Sequence, residues 1–493
     1  MTSNQKIVQL AKKGMVWQTL ELLVGKGFGY VVQLVLVRIL FPEDFGLVGM
    51  AVFFTGLVQV LSTLGLGVSL IQMKEEKIQP IHYDTVFWSS LGFNLFTYII
   101  VYFLVTPFAA YFYDEPLLMQ VIPVLALSGL INSFSTVPSI RLTKSLQFKK
   151  LTQAEIIAMV FSGTIAIGLA FFGFGVYAII MNGLLNALIK VPFLWYFDRW
   201  QPSFRFSLPK LKEVLGNGIY ESMSQTLMFV IKNIDYLIIG KLLSASLLGI
   251  YTFAFMLTDS FRAQLMTVMN KVMFPVYSKI QNDKALLKTY YLKVVRFNVL
   301  AIGPIMIFLT LYAEKIIFII GGEKWLEAAF PVQMLSLAAL LHVIGGTYSS
   351  VLKGMGKFSL DFKISLFKTI FVTIPFFYIG AYFWGIEGVS VAVLGTKVVA
   401  RTISHYFMWK MIAVSQRDIL ETLYSFALGG LAMLAVAGLS YMVPFFWIAF
   451  LIGIFGLGLF YYIEYRLEKG LIDTIISEVR NKSGKNADES IAS

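Results

Sequence analysis

The sequence predicts an all-α polytopic membrane protein of about 14 transmembrane helices, built as two pseudo-symmetric six-helix lobes plus two C-terminal helices. Three observations predict it: a composition outside the soluble range, a series of apolar windows of spanning length, and an internal repeat. Hydrophobic residues make up 58% of the 493-residue chain, charged residues 14%, and the mean hydropathy is +0.76. Soluble domains are about 45–50% apolar and about 25% charged, and only lipid-facing helices need so large an apolar excess. The chain has no cysteine, which excludes disulfides and thiolate metal sites.

Taken in order, the chain opens on a polar, basic stretch, MTSNQKIVQLAKKG, with no small-residue cleavage site after the first apolar run. That run therefore reads as a permanent span rather than a removed signal. A helix crossing a hydrocarbon core of about 30 Å needs roughly 20 residues. Six such windows fall at 13–39, 45–71, 84–111, 117–140, 152–173 and 175–198, forming a first lobe over residues 1–200. Six more, at 213–240, 246–270, 289–312, 326–351, 359–384 and 387–411, form a second lobe over 201–415. Windows at 418–441 and 444–465 make up an appended pair over 416–465, and 466–493 is a cytoplasmic tail. Connections such as Phe172-Gly173-Phe174-Gly175 and Trp384-Gly385-Ile386 are short enough to be tight helical hairpins.

Lysine and arginine set the orientation. With the N-terminus inside, the cytoplasmic segments carry 28 of the 40 cations, against 4 outside: Arg38, Lys241, Lys315 and Lys324. The split places both termini in the cytoplasm and supports an even number of spans. It also explains most of the net charge of +12, so nucleic acid is not an expected partner. The basic loop from Arg141 to Lys150 fits this topological reading, and binding of acidic lipid headgroups is its alternative.

The repeat appears at a shift of 203 residues. VRILFPEDFGLVGMAVFFT then lies over GKLLSASLLGIYTFAFMLT without a gap. Arg38 falls on Lys241, Leu40 on Leu243, Gly46 on Gly249, Ala51 on Ala254 and Thr55 on Thr258. Six spans separate the copies, so the two lobes run in the same direction, related by an axis along the membrane normal. Such lobes enclose a central site and alternate access to it.

Ionisable residues at mid-membrane cost about 3 kcal/mol each on insertion scales and need a reason. In the seventh span Glu221, Gln225, Lys232 and Asp235 share a helix face, as do Asn182, Asn186 and Lys190 in the sixth. Lys397, Arg401 and His405 step by one turn through the twelfth. The first span carries Gln18 and Glu21 on one face, with Lys26 and Gln33 on another. Asp259 and Arg262 are placed to pair within their own helix, and Arg296 to snorkel. Lys397 and Arg401 repel each other with no carboxylate on their helix face, so a wet cavity holding an anion would stabilise both. The cavity candidates are Lys26, Lys190, Lys232, Arg262, Lys397 and Arg401. Glu21, Glu221 and Asp235 are candidates for a coupling proton or cation; Glu21 and Glu221 serve equally well as partners for lysines. Three scattered histidines, His82, His342 and His405, make no metal site, and no catalytic or nucleotide-binding motif is present. No cofactor is expected.

Several strings, in order along the chain, carry a resemblance. They are Arg38-Ile-Leu-Phe-Pro-Glu-Asp-Phe-Gly-Leu-Val-Gly-Met50, Leu64-Gly-Leu-Gly-Val-Ser-Leu-Ile-Gln72 and Leu146-Gln-Phe-Lys-Lys-Leu-Thr-Gln-Ala-Glu155. Asp235-Tyr-Leu-Ile-Ile-Gly-Lys-Leu-Leu243, Phe274-Pro-Val-Tyr-Ser-Lys-Ile-Gln281 and Gly322-Glu-Lys-Trp-Leu326 continue the series. The set resembles the polysaccharide-transporter (Wzx-type) branch of the multidrug/oligosaccharidyl-lipid/polysaccharide flippase superfamily, and within it exporters of the colanic-acid and teichuronic-acid kind. The resemblance implies a V-shaped pair of lobes in a bacterial inner membrane, flipping an undecaprenyl-pyrophosphate-linked oligosaccharide to the outer leaflet. It also implies, as partners, membrane lipids and the polysaccharide polymerase and chain-length machinery. Competing readings are a drug/cation antiporter of the same superfamily, which the cationic stripes fit poorly, and a membrane-embedded glycan polymerase or transferase. The latter should carry a large outside loop with catalytic residues, whereas the longest outside loop, near Glu314 to Glu327, is only about a dozen residues.

Overall fold

In the computed structural model, which describes residues 17, 21–62 and 65–488, helices joined by short loops are the regular structure among those residues. The side chains of 22, 23, 62, 216–221, 224, 261 and 468–488 lie outside the description. The long helices are α1 (Lys26–Ile39), α2 (Pro42–Ser62), α3 (Leu66–Gln72), α4 (Pro80–Tyr113), α5 (Leu118–Lys144), α6 (Phe148–Phe171) and α7 (Val176–Asp198). They continue as α8 (Leu208–Leu242), α9 (Ala245–Lys279), α10 (Lys284–Ile320), α11 (Ala329–Gly345), α12 (Tyr348–Gly354), α13 (Phe358–Lys368) and α14 (Ile374–Ile412). The series ends with α15 (Gln416–Thr422), α16 (Tyr424–Tyr441) and α17 (Phe446–Asp488). In lipid a helix satisfies every backbone N–H and C=O within one segment, which is why apolar runs of this length take no other form.

Ten stretches among the described residues are long and apolar enough to cross a membrane, and the chain is a multi-pass membrane protein. The other windows read from the sequence have physical explanations. The window at 13–39 falls partly outside the described residues, and those at 213–240 and 246–270 sit in α8 and α9, whose charged side chains dilute the apolar content. The windows 359–384 and 387–411 share one stretch, Phe358–Ile412, that doubles back at Gly385. Gly385 adopts φ +57°, ψ −138°, a conformation open to glycine, and beyond it the backbones of Gly380 and Gly388 meet.

Contacts divide the chain into two compact units. The first comprises Met1–Phe253 with Ile320–Trp325, the second Ala254–Ile319 with Leu326–Ser493. In the first unit α6 and α7 form an antiparallel pair, and α5 packs on α7, α4 and α2. One core groups Leu66, Leu70, Val86, Phe87, Val137, Ile140 and Val214, with Trp195 and Trp200 against Phe87. The basic loop is tied down at helix ends. Lys144 donates to the carbonyls of Leu70 and Met73 at the end of α3, and Lys150 donates to Phe197 O, 3.1 Å away, at the end of α7. Arg141 pairs with Asp198 at 2.8 Å and lies over the Tyr83 ring. A cation at a helix C-terminus meets the negative end of the helix dipole and unpaired carbonyls, so these charges hold structure together.

At the opposite end of the same unit α2 and the start of α9 cross with no room for a side chain. A Cβ on Gly46 would stand 1.7 Å from the carbonyl oxygen of Ala245, and one on Gly249 would stand 1.7 Å from that of Pro42. Pro42 and Ala245, like Gly46 and Gly249, are separated by the repeat interval of 203 residues, so the contact is reciprocal. Beside it Trp325 is fully buried, its indole N–H donating to Val37 O at 2.9 Å and its ring meeting Phe45 and Phe253 edge-on. Lys324 donates to Ile39 O at 2.9 Å and lies over the Phe41 ring.

In the second unit α11 packs on α14 and α16 on α17. The Tyr312 and Ser440 hydroxyls meet at 2.8 Å between α10 and α16. Ser415 and Asp418 form a capping box that starts α15, and Lys288 from α10 reaches the Asp418 carboxylate at 2.7 Å.

Candidate functional site

The second unit gathers cations from three helices around one partly buried imidazole. His342, near the end of α11, feels the charges of Arg262 from α9, Lys397 from α14 and Lys368 from the end of α13. Arg401, one turn beyond Lys397, lies with its Cδ 3.1 Å from where a Cβ on Gly345 would stand, so the glycine lets its stem lie on the α11 backbone. Its guanidinium bears on the buried Tyr291 hydroxyl and on His405. Two carboxylates offset this charge. Asp259 holds Arg262 through a forked hydrogen bond within α9. Asp361 acts on Lys368, but it also accepts from Ser349 at 2.9 Å and faces Lys353 at 3.5 Å. Lys368 donates to the Tyr348 hydroxyl at 2.6 Å.

Among the described residues, Asp259 and Asp361 are the carboxylates set beside these cations, and Asp361 is shared with Lys353. Positive charge inside an apolar bundle is costly unless carboxylates, water or a bound anion compensate it. Among the described residues no group of three or more histidines or carboxylates is arranged to hold a metal.

The structure thus brings together three of the residues singled out by sequence: Arg262, Lys397 and Arg401. It adds Lys368 and His342, which sequence reasoning passed over. Lys368 shares no helix stripe with another cation, and His342 was weighed only as a metal ligand. In the structure a π-helical turn, Thr369–Thr373, directly follows Lys368, and such turns are frequent at functional sites.

The remaining candidates lie in the first unit. Lys190 faces Glu155 at 3.5 Å, and Asn182 accepts from Ser162 at 3.0 Å, so that stripe is partnered inside its own bundle. Lys26 and Lys232 are exposed. Glu21, which starts a π-helical turn, accepts from Thr152 at 3.3 Å. Asp235 is buried and accepts from the Tyr251 hydroxyl at 2.8 Å. The Glu221 side chain lies outside the described residues, as does Gln18.

An all-helical, multi-pass fold places the chain among the polytopic membrane proteins. The family described as "Polysaccharide biosynthesis protein" matches residues 35–330, and the chain belongs to that family. It is 25% identical over 414 residues to the lipopolysaccharide biosynthesis protein WzxC of Escherichia coli (strain K12), covering 84% of this chain and 82% of that one. It is 22% identical over 372 residues to the succinoglycan biosynthesis transport protein ExoT of Rhizobium meliloti (strain 1021), covering 76% and 74%. Among solved structures, the lipid II flippase MurJ in an inward closed conformation superposes with a TM-score of 0.68 at 14% identity, over 92% of this chain and 99% of that one. An inward-facing multidrug resistance MATE transporter of the MOP superfamily gives 0.62 at 18%, over 81% and 98%. These structures share the fold, and the family resemblance read from the ordered strings is borne out.

Proposed function

We propose that this chain flips an undecaprenyl-pyrophosphate-linked oligosaccharide from the inner to the outer leaflet of the bacterial cytoplasmic membrane, for surface polysaccharide export. In this reading the lobes 1–200 and 201–415 alternate access to a central cationic site, both termini lie in the cytoplasm, and 14 helices span the bilayer. Lipid-linked precursors are the cargo, and the polysaccharide polymerase with its chain-length machinery takes the product. The observation that carries the reading is the cluster of Arg262, Lys368 and Lys397 near His342, with Arg401 one turn beyond Lys397 against Gly345. A pyrophosphate is the polyanion such a cluster would neutralise, and guanidinium and ammonium groups bind phosphate oxygens strongly. Names among the relatives, which refer to lipopolysaccharide, teichuronic acid and succinoglycan, support a glycan cargo. Glu21, Glu221 and Asp235 are proposed to carry a coupling proton or cation.

The test is complementation of a deletion strain. Lys397→Ala combined with Arg401→Ala is expected to lower surface polysaccharide about 100-fold while the protein stays membrane-inserted, since unpairing a buried ionic contact costs several kcal/mol. Export at the wild-type level by the double variant would overturn the cationic-site reading. A drug/cation antiporter keeps support from the MATE-like fold, but a surplus of positive charge repels an organic cation.

A further inference from the structure

The first unit contains a second polar site of opposite character. A cavity of about 360 Å³ lies between α2, α3, α4, α5 and α8. It is lined by Gln59, Asn94, Asn132, Thr136, Ser222 and Gln225, and among the described residues its lining holds no lysine, arginine, aspartate or glutamate. An adjoining chamber of about 130 Å³ shares Gln59, Asn94 and Gly129 and reaches Val101, where α4 takes a π-helical turn over Val101–Val105. Pockets that hold small ligands span about 300–1,000 Å³, so the larger chamber is of ligand size.

Some of the lining is paired within the protein, the Ser90 and Thr136 hydroxyls lying 3.4 Å apart, and the Ser222 hydroxyl is the costly exception. Amide and hydroxyl groups at membrane depth need partners, and lipid offers none. The Ser222 hydroxyl is 5% exposed and has no hydrogen-bond partner among the described residues. Asn94 uses its amide nitrogen on Ser90 O at 2.8 Å, while its Oδ1 faces Gly129 across the chamber, 3.8 Å from where a Cβ would stand. Each primary amide offers two donors and an acceptor, and each hydroxyl offers both roles. That mixture complements a ring of alternating sugar hydroxyls. An uncharged lining would leave a pyrophosphate unneutralised.

We propose that this cavity binds the neutral sugar part of the cargo, hydroxyl by hydroxyl. The proposal rests on the flippase reading, and the experiment separates the two. If a deletion strain keeps its surface polysaccharide, the flippase reading itself fails. If the deletion abolishes export, near-isosteric Asn94→Leu with Asn132→Leu is expected to lower it about 10-fold at unchanged protein level, the loss expected when ligand hydroxyls lose their partners. Normal export by that variant would overturn the cavity proposal alone.

A second measurement covers failure of the variant to fold. The chain lacks cysteine, so Asn132→Cys supplies a single thiol in the cavity wall. Its alkylation by maleimide in membrane vesicles is followed with two probes. One is lipid-linked glycan extracted from the deletion strain; the other is free glycan released from that extract by mild acid. Protection by both probes, slowing alkylation by about 10-fold, is the expected result. Protection by the intact conjugate alone, by inorganic pyrophosphate, or by no probe would overturn the assignment.

Discussion

Asp418 shows how a single carboxylate can be fixed by its neighbours in the loop region ahead of α16. The Lys288 ammonium and the Ser415 cap pull its pKa from the ordinary 3.8 down to about 2. A carboxylate whose pKa is depressed on folding stabilises the fold above its ordinary range, and that contribution disappears as pH falls through the folded value. The melting temperature of the detergent-solubilised protein is therefore expected to fall between pH 3.8 and about 2, and Lys288→Met should remove part of that dependence. An identical acid profile for both proteins would show that the pair contributes nothing. At the same scale, Lys397 and Arg401 were legible in the sequence because helical spacing puts them on one face. Lys368 was not, because its neighbours come from helices far away in the chain and no one-dimensional pattern encodes that meeting.

At the scale of helices, the crossing of α2 and α9 makes the sharpest claim. The repeat was legible as aligned letters, but its physical reason, two backbones touching at glycine, needs coordinates. Gly46→Ala and Gly249→Ala should each lower stability by about 1–3 kcal/mol, the usual cost of overpacking. Their combination should cost less than the sum, because the first methyl already separates the backbones that the second would meet. Thermal unfolding of the two single variants and the double tests this, and strict additivity would refute the shared contact. The basic loop shows the opposite limit. Its charge count was legible as topology, but not its detailed work, in which Lys144 and Lys150 close the ends of α3 and α7. Those carbonyl partners lie some tens of residues away, beyond the reach of any local motif.

At the scale of the whole chain, composition made the membrane fold plain, because bilayer thickness and backbone hydrogen bonding leave few alternatives. Orientation rests on the 28-to-4 distribution of basic residues, and the cysteine-free background makes it testable. In intact cells an impermeant maleimide should label Pro116→Cys, between α4 and α5, and spare Ser145→Cys, between α5 and α6, until the membrane is permeabilised. The reverse pattern would invert the topology. The reciprocal glycine contact carries a historical consequence as well. Residue 46 meets 245 while 249 meets 42, the pattern of a two-fold homodimer interface in which the same patch serves both partners. A half-length ancestor that dimerised through this patch would leave, once its two copies were fused, just such a mirrored contact, and each half of the present chain would still carry one side of that ancestral handshake.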